Sequence, residues 1–325
     1  MSNQNRIFRF LSYPFIIAYV LLLVIIFLSY LGFLTERADA LSHFRLHYSV
    51  VMLVFIPLFI AFNLKKQVYV AVAILTFNTA AAFNYPAKPV EDISGTKAVK
   101  LMTLNLLRSA MNEENVLMLV AREKPDIILL QEVHRYKARL LTRLKKIYPW
   151  QQHCAFQSSC GVAILSRYPW QQSNSGIKGR EKLAIASARF GQRLANLTIA
   201  SVHIRWPFFS HQKSQLNTAY KETASTDRPL IIAGDFNATP WSWTMKSFAY
   251  ENNLRMAGPM RATWPVFQRS HRCTLCIPQF PIDHIFVSEN IRVISKRIGP
   301  DVGSDHLPVI IEIALPDQRF AMRHN

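Results

Sequence analysis

Acidic, amide and histidine side chains recur at the ends of short apolar segments from residue 105 onward. Strand ends are rigid supports that present polar side chains at the edge of a sheet. Carboxylates gathered there repel one another unless a cation or a proton lies between them. Oxygen ligands suit Mg²⁺ or Mn²⁺ better than zinc, so this pattern predicts a site for a hard divalent cation. The residues in question are Asn105, Glu132, His203, Asp235, Asn237, Asp283, Asp305 and His306.

Each of these residues taken alone also has a structural explanation. Asn105 could cap a strand end, His203 could be a satisfied core histidine, and Asp235 could begin an Asx turn. Asp305 could form a loop ion pair with its neighbour. Glu132 is harder to explain in this way, because a carboxylate at the end of an apolar strand needs a partner. The whole set, in this order, favours a functional site.

The elements that must position these side chains are short strands that alternate with polar helical stretches. So many strands do not fit a simple doubly wound sheet, but they fit two packed sheets with helices outside. Strands are predicted at residues 99–107, 126–133, 161–166, 183–190, 195–204, 229–233, 282–287, 291–298 and 308–314. Helices are predicted at residues 112–122, 136–147, 210–223 and 241–250.

Six motifs occur in an order that resembles the endonuclease/exonuclease/phosphatase superfamily, which includes deoxyribonuclease I-like nucleases, abasic-site nucleases, sphingomyelinases and inositol-polyphosphate phosphatases. The motifs are LMTLNLL, DIILLQEV, SVHIRW, LIIAGDFNATP, PIDHIFVS and GSDHLPV. The resemblance covers about residues 97–315, within a catalytic domain predicted at 97–325. It implies a four-layer α/β sandwich of two mixed β-sheets flanked by helices.

The resemblance also implies a metal-dependent phosphoesterase with Mg²⁺ or Mn²⁺ as its cofactor. Glu132 matches the principal metal ligand of the family, with Asp305 a helper and Asn105 nearby. Independently of the family, a bound cation would neutralise the negative charge that develops on phosphoryl oxygens.

The remaining site residues match the part of the family motif that handles protons and phosphate. Asp235 matches the residue that orients or deprotonates the attacking water, and Asn237 matches a phosphate-contacting amide. Asp283 matches the carboxylate that holds the histidine corresponding to His306. Such a pair fixes the histidine tautomer and raises its basicity. His203 matches a histidine near the leaving group, and the sequence leaves open whether His306 or Asp235 removes the proton of the water.

Residues 1–84 are predicted to form a membrane anchor with about three transmembrane helices. Apolar segments occupy residues 11–33, 50–62 and 68–83, and the first is long enough to cross the hydrocarbon core of a bilayer. A cleaved signal peptide is the alternative for the first segment, and buried helices are the alternative for the other two. Residues 85–96, which contain two prolines, are predicted to be a linker.

The distribution of basic residues gives a weak indication of topology. Arg6 and Arg9 precede the first segment, and Lys65 and Lys66 separate the second from the third. The positive-inside bias would place both sites in the cytoplasm. An odd number of spans would then put the catalytic domain outside it. The predicted location is a bacterial inner (plasma) membrane, multi-pass, with a periplasmic or extracellular catalytic domain.

The chain has four cysteines, which form two close pairs in the predicted catalytic domain. Cys154 with Cys160 and Cys273 with Cys276 are predicted to be local disulfides, which would suit an oxidising compartment. A zinc site made of the four thiols, alone or with His153 or His271, is the alternative.

Charge and layout bear on the substrate. The net charge of +18 favours anionic partners or only provides solubility. The layout resembles membrane-anchored bacterial phosphatases linked to glycopeptide-antibiotic resistance, which implies a phosphorylated lipid, such as a polyprenyl phosphate or pyrophosphate, or a small phosphorylated molecule. Arg205 and the aromatic residues at 206–209 could hold a phosphate at the bilayer surface, unless the rings pack in the core. A nuclease acting on DNA or RNA and a non-enzymatic scaffold are the other hypotheses.

Overall fold

The protein is described here by a computed structural model that divides into two compact units. Unit 1 comprises Met1–Pro86 with Trp241–Lys246, and unit 2 comprises Ala87–Pro240 with Ser247–Asn325. The predicted linker at 85–96 lies outside the described residues. Those are 3–83, with side chains from residue 12, and 98–107, 112–154, 160–209, 211–223, 229–266 and 280–315.

Unit 1 is built of helices that pack through one apolar cluster. Its core joins aromatic and aliphatic side chains, including Tyr19, Met52 and Phe59. The edge of the Tyr19 ring meets the Phe59 ring at a centroid distance of 4.9 Å. The helices are α1 (Asn3–Ser29), α2 (Glu36–Ser42), α3 (Arg45–Ala61) and α4 (Lys65–Phe83).

The prediction of about three transmembrane helices is corrected by the lengths and composition of these helices. In the described residues only α1 is long and apolar enough to cross a membrane alone, through Ser12–Ser29 with a mean hydropathy of 2.4. A second span would need α2 and α3 together, although they are bent by 57°. α3 has 17 residues, about 25 Å of helix against a hydrocarbon core of about 30 Å. α4 begins with two lysines and contains Asn78, which lowers its hydropathy. An N-terminal helix such as α1 is also compatible with a signal sequence.

The segment Trp241–Lys246 belongs to unit 1 through buried polar contacts. The carboxylate of Asp39 accepts hydrogen bonds from the backbone N–H groups of Trp243 and Thr244, at 2.7 and 2.8 Å. The indole Nε1 of Trp241 donates to the carbonyl of Ser42 at 2.7 Å. The two bonds to Asp39 satisfy backbone N–H groups in the first turn of a helix, where such groups have no partner within the helix.

Unit 2 alternates strands and helices in the order expected of a two-sheet α/β fold. It contains β1 (Ala98–Asn105), α5 (Glu113–Glu123), β2 (Ile127–Gln131), α6 (Ala138–Leu144), β3 (Trp150–His153), β4 (Ala163–Ser166), β5 (Trp170–Lys178), β6 (Leu183–Phe190), β7 (Thr198–His203), α7 (Gln212–Thr223), β8 (Leu230–Asp235), α8 (Trp243–Glu251, which begins in the unit 1 segment), β9 (Leu254–Met256), β10 (Asp283–Ser288), β11 (Arg292–Ile298) and β12 (Val309–Ala314). Short 3₁₀ helices occupy Arg135–Lys137, Gln192–Leu194 and Pro207–Phe209.

The strands form two six-stranded sheets. The first has the order β11-β12-β1-β2-β4-β3, and the second has the order β5-β6-β7-β8-β10-β9. One neighbouring pair in each sheet is parallel, β1 with β2 and β7 with β8, and the other pairs are antiparallel. Both sheets are therefore mixed, which confirms the predicted α/β fold of two mixed sheets flanked by helices.

The core lies between the two sheets. Leu101 and Ile127 of the first sheet and Ile231 and Ile285 of the second belong to one buried apolar cluster. A second cluster joins the opposite face of the first sheet to α5 and α6, for example through Leu130. The central strands are thus covered on both faces, which explains their continuous apolar sequences.

Two of the four cysteines lie in the described residues of this unit. Cys154 and Cys160 form a disulfide bond between β3 and β4. The predicted pair of Cys273 and Cys276 lies outside the described residues.

Candidate active site

Three site residues lie in one row because of the register of adjacent strands. His203 at the end of β7 is the register partner of Asp235 at the end of β8. Asp283 at the start of β10 is the antiparallel partner of the same Asp235. Neighbouring strands lie about 4.8 Å apart, so the backbone of the sheet alone brings these three side chains together.

The end of β8 depends on a glycine next to the central carboxylate. Gly234 has a φ of +147°, and a Cβ at this position would lie 2.0 Å from the carbonyl oxygen of Val202. Only glycine fits there without moving β7. After the turn, Asn237 has a φ of +48°, and its backbone N–H donates to Oδ1 of Asp235 at 2.8 Å.

The other oxygen of Asp235 is the point on which several side chains converge. Oδ2 accepts a hydrogen bond from Nδ2 of Asn105 at 3.0 Å. The Nε2 atoms of His203 and His306 lie 3.5 and 3.8 Å from the same oxygen. Burial raises the pKa of Asp235, and the nearby charge of His306 opposes that rise. Asp235 is therefore held at the centre of the site by donors on both oxygens.

His306 is oriented by a carboxylate behind it. Its Nδ1 lies 2.8 Å from Oδ2 of Asp283, and both side chains are nearly fully buried. Burial alone would lower the pKa of His306, but Asp283, Asp235 and Asp305 outweigh burial and raise it to about 10. The backbone N–H of His306 donates to Oγ of Ser304, whose hydroxyl donates to the carbonyl of Asn105.

Asn105 links the two sheets across the site. Its Nδ2 donates to Oε1 of Glu132 at 3.1 Å as well as to Asp235, and its Oδ1 accepts from the backbone N–H of Leu107. Metal ligation by Asn105, as predicted from the sequence, would therefore use the second lone pair of that oxygen. Glu132 has a φ of +55°, a conformation that is costly outside glycine and is concentrated at functional sites.

Asp305 has one oxygen occupied and one buried without a partner. Oδ2 accepts a hydrogen bond from Nε1 of Trp264 at 3.0 Å. Oδ1 is buried and has no hydrogen-bond partner among the described residues. A buried carboxylate oxygen without a donor is the environment that a cation would complete. The donor set of Asp305 and Glu132 thus fits a hard divalent ion.

A second grouping of ligand atoms lies beside this one. Asp235, Asp283 and His306 each offer an atom within 4.8 Å of the others. Nδ1 of His306 and Oδ2 of Asp283 already engage each other, so a cation bound through those two atoms would replace that bond. Oδ1 of Asp283 is buried without a hydrogen-bond partner among the described residues, as Oδ1 of Asp305 is. We favour Glu132 and Asp305 as the ligands, because a cation there leaves the bond between His306 and Asp283 intact.

These residues surround one cavity of about 740 Å³. Six of the eight predicted metal and catalytic residues line it, whereas Asn105 and Asp283 are linked to the lining residues by hydrogen bonds. The predicted amide of Asn237 donates to the carbonyl of Ile204 at 2.9 Å, which fixes its orientation. The lining residues are Glu132, Ile177, Lys182, Ala184, His203, Ile204, Arg205, Trp206, Phe209, Asp235, Asn237, Trp264, Asp305 and His306.

The aromatic residues that follow Arg205 do not pack in the core. Trp206, Phe208 and Phe209 are 43%, 53% and 64% exposed. Trp206 and Phe209 line the cavity together with Arg205, and the Trp206 ring meets Trp264 edge to face at a centroid distance of 5.3 Å. They form an exposed aromatic rim, by which we mean Trp206, Phe208 and Phe209.

Two residues near the site carry no distinctive sequence signal. Lys137 lies in a run of basic residues, yet it is buried and its Nζ donates to the carbonyls of Leu106 and Leu107. Burial lowers the pKa of Lys137 to about 8, against the opposing effect of Glu132 and Asp305. Lys182 also lines the cavity. In the sequence, only its place in a short connection between two strands could have indicated that Lys182 lies near the site.

Comparison with known proteins agrees with this geometry. The model of the endonuclease/exonuclease/phosphatase family matches residues 102–306, more than half of the chain. The comparison with curated protein sequences gave no match.

Solved structures share the fold. An endonuclease/exonuclease/phosphatase from Bacteroides vulgatus is 17% identical, with a TM-score of 0.57, over 67% of this chain and 99% of that one. The human Nocturnin catalytic domain is 22% identical, with a TM-score of 0.50, over 67% and 94%. D. rerio TDP2 in complex with a single-strand DNA product is 14% identical, with a TM-score of 0.51, over 66% and 98%. From its sequence motifs, its two-sheet fold and this site, the chain belongs to the endonuclease/exonuclease/phosphatase family of metal-dependent phosphoesterases.

Proposed function

We propose that the chain is a membrane-anchored, divalent-metal-dependent hydrolase of a phosphorylated lipid, with its active site outside the cytoplasm. The observation that carries the hydrolytic part is the convergence of His203 and His306 on the single carboxylate of Asp235, with Asp283 holding His306 from behind. His203, Asp235 and His306 line one cavity with Glu132 and Asp305.

Glu132 and Asp305 are the residues that would hold the cation, with Asn105 adjacent. When bound, Mg²⁺ or Mn²⁺ would supply Lewis-acid stabilisation of the charge on the phosphoryl oxygens. The support for this assignment is the buried, unpartnered Oδ1 of Asp305 and the hydrogen bond that fixes Glu132 against Asn105.

The residues of the chain divide the remaining work. Asp235, held by the N–H of Asn237 and by Asn105, would orient the attacking water and accept its proton. His306, fixed by Asp283, would direct its Nε2 into the cavity toward the phosphoryl group. His203 is more exposed than His306, which suits a role at the leaving group, where solvent and the departing alcohol meet.

A lipid substrate is supported by the aromatic rim. Exposed aromatic side chains at the mouth of a polar cavity would contact an apolar leaving group, or the bilayer interface from which it comes. Arg205 and Lys182 line the same cavity and would attract an anionic headgroup. The hydrolytic residues and the rim thus fit the two halves of an amphiphilic phosphate.

Membrane anchoring is supported by the surface of α1. Ile17, Leu21 and Phe27 are 61%, 58% and 64% exposed, and an exposed apolar helix surface is unfavourable in water. The disulfide of Cys154 and Cys160 supports an oxidising location for the catalytic unit.

A nuclease is the second candidate, favoured by the net charge of +18, because phosphate backbones attract basic proteins. The scaffold hypothesis is disfavoured, since a scaffold needs no buried proton-handling cluster.

The test is hydrolysis by the full-length chain in detergent micelles. The substrates are farnesyl phosphate, bis(4-nitrophenyl) phosphate and plasmid DNA, each with Mg²⁺, Mn²⁺ or EDTA. We expect phosphate release from farnesyl phosphate that requires metal and is absent in Asp235→Asn prepared in parallel. Metal-dependent DNA cleavage without hydrolysis of the lipid phosphate would overturn the lipid substrate and favour the nuclease hypothesis. Equal rates in wild type and Asp235→Asn would identify a contaminant and overturn the assignment.

A further inference from the structure

A buried lysine holds the turn that follows β1, next to the site. Lys137 is 6% exposed. Its Nζ donates to the carbonyl of Leu106 at 2.5 Å and to the carbonyl of Leu107. These two residues directly follow Asn105 at the end of β1. The ammonium group thus closes the first turn of the chain beyond the strand that presents Asn105.

This turn controls the orientation of the Asn105 amide. Leu107 has a φ of +52°, a strained conformation for a leucine, and its N–H donates to Oδ1 of Asn105 at 3.0 Å. That bond leaves Nδ2 of Asn105 directed at Glu132 and Asp235. By holding the carbonyls of Leu106 and Leu107, Lys137 holds the backbone conformation of this turn. The Asn105 bridge, by which we mean the hydrogen bonds from Nδ2 of Asn105 to Glu132 and Asp235, depends on that conformation.

The charge of Lys137 has a separate effect. The hydrogen bonds that hold its Nζ go to the uncharged carbonyl groups of Leu106 and Leu107. Burying an ammonium group among neutral partners is costly. The acids that act on it electrostatically are Glu132, Asp305 and Glu113, and the first two are the assigned metal ligands. A fixed positive charge there weakens the attraction of the site for a cation.

We infer that Lys137 is a positioning residue of the metal site, which fixes the Asn105 bridge through two backbone carbonyls and limits the affinity of Glu132 and Asp305 for the cation. The inference rests on the proposed metal-dependent function. Replacing a residue that has only a structural role would lower stability and weaken metal binding together. Replacing Lys137 should instead strengthen metal binding, because removal of its charge strengthens the attraction of the carboxylates for a cation.

The test uses the full-length chain in detergent with Lys137→Met, which removes both charge and donors, and Lys137→Gln, which removes the charge but keeps an amide donor. Lys146→Met, at an exposed lysine in the same basic run, is the matched control. Mn²⁺ binding is measured by electron paramagnetic resonance, independently of activity, and kcat is measured at saturating Mn²⁺ with bis(4-nitrophenyl) phosphate.

We expect both Lys137 variants to bind Mn²⁺ about three- to tenfold more tightly than wild type. We also expect kcat to fall about tenfold in Lys137→Met, with partial recovery in Lys137→Gln and no change in Lys146→Met. Unchanged or weaker Mn²⁺ binding in folded Lys137 variants would overturn the inference, as would loss of folding in both. A wild-type chain that binds Mn²⁺ but hydrolyses no phosphoester would instead overturn the proposed function alone, because the shift in Mn²⁺ affinity would still be measurable.

Discussion

Nδ1 of His306 lies 2.8 Å from Oδ2 of Asp283, and both side chains are buried. Asp283 begins β10 beside Asp235, whereas His306 precedes β12 in the other sheet. This contact therefore joins the two sheets at the site, and it leaves Nε2 of His306 directed toward the cavity with a fixed ring orientation.

The first prediction concerns this pair. Asp283→Asn keeps the shape of the side chain but removes the charge that orients the His306 ring and raises its pKa, so kcat should fall about 10- to 100-fold. His306→Gln should cost more, because it removes the group that faces the phosphate. Steady-state kinetics of the full-length chain with bis(4-nitrophenyl) phosphate measures both. Combining the two changes should cost little more than His306→Gln alone, and additive losses would show that Asp283 acts independently.

Asp235→Asn tests the central carboxylate. The substitution preserves volume and some of the hydrogen bonds to Asn105 and Asn237, but it removes the proton acceptor. We expect kcat to fall by at least about 1,000-fold with a KM within about threefold of wild type, because the lost interaction belongs to the transition state. A rise in KM with kcat preserved would assign Asp235 to substrate binding.

The central strands of the fold were predictable because their side chains are apolar on both faces. β6 at Leu183–Phe190 has the predicted bounds, and β2, β8, β10 and β12 differ from them by a few residues. β3, β5 and β9 were not predicted. All three are at sheet edges, where a strand pairs on one side and tolerates polar residues. β5, for example, has the sequence WQQSNSGIK, which resembles a loop in composition.

The site was predictable to the extent that its residues end strands. His203, Asp235 and Asp283 lie together because of strand register, which follows from the fold. The burial of Lys137 was not predictable, because its partners lie in a turn at residues 106 and 107, far earlier in the chain. Its neighbours Arg135 and Tyr136 are both exposed. The contact of Trp264 with Asp305 spans 41 residues, and no local pattern encodes it.

Glu132→Gln tests the metal site. Loss of one anionic ligand should raise the half-saturating Mg²⁺ concentration about tenfold or more, and high Mg²⁺ should partly restore activity. Titration of the rate with Mg²⁺ measures this, and Mn²⁺ binding provides a readout independent of activity. Glu289→Gln, at a partly exposed carboxylate away from the cavity, is the control. Should Asp283→Asn weaken Mn²⁺ binding while Glu132→Gln does not, the cation would belong with Asp235, Asp283 and His306 instead.

The ion pair of Glu123 with Arg297 predicts a pH-dependent contribution to stability. Burial alone would raise the pKa of Glu123, but hydrogen bonds from Arg297 and Arg122 outweigh burial and hold it below its usual value. A lowered pKa in the folded state means that the contribution is complete above the unfolded value of about 4.3 and is lost as the pH falls through the folded value.

Glu123→Gln should therefore lower the free energy of unfolding by about 1 kcal/mol at neutral pH, a figure reduced because Arg297 is half exposed. The difference from wild type should shrink toward about pH 3. Urea unfolding in detergent, followed by tryptophan fluorescence, measures it at both pH values. Glu114→Gln, at an exposed pair with Arg143, serves as the control. A pH-independent difference would assign the effect to packing.

The last prediction separates a lipid substrate from a soluble one by means of the aromatic rim. Trp206 and Phe209 line the cavity yet remain 43% and 64% exposed, so truncating them removes contact area without opening the core. If they hold an apolar leaving group, each contributes about 1.5–3 kcal/mol of apolar contact. Trp206→Ala and Phe209→Ala should then lower kcat/KM for farnesyl phosphate about 10- to 100-fold. The value for bis(4-nitrophenyl) phosphate should stay within about threefold of wild type, since the hydrolytic residues are unchanged.

Tyr250→Ala, at a side chain that is 89% exposed and outside the cavity lining, should leave both values unchanged. Equal losses on both substrates would mean that the rim supports the geometry of the site. A loss confined to a single-stranded oligonucleotide would mean that the rings stack on bases, and it would favour the nuclease.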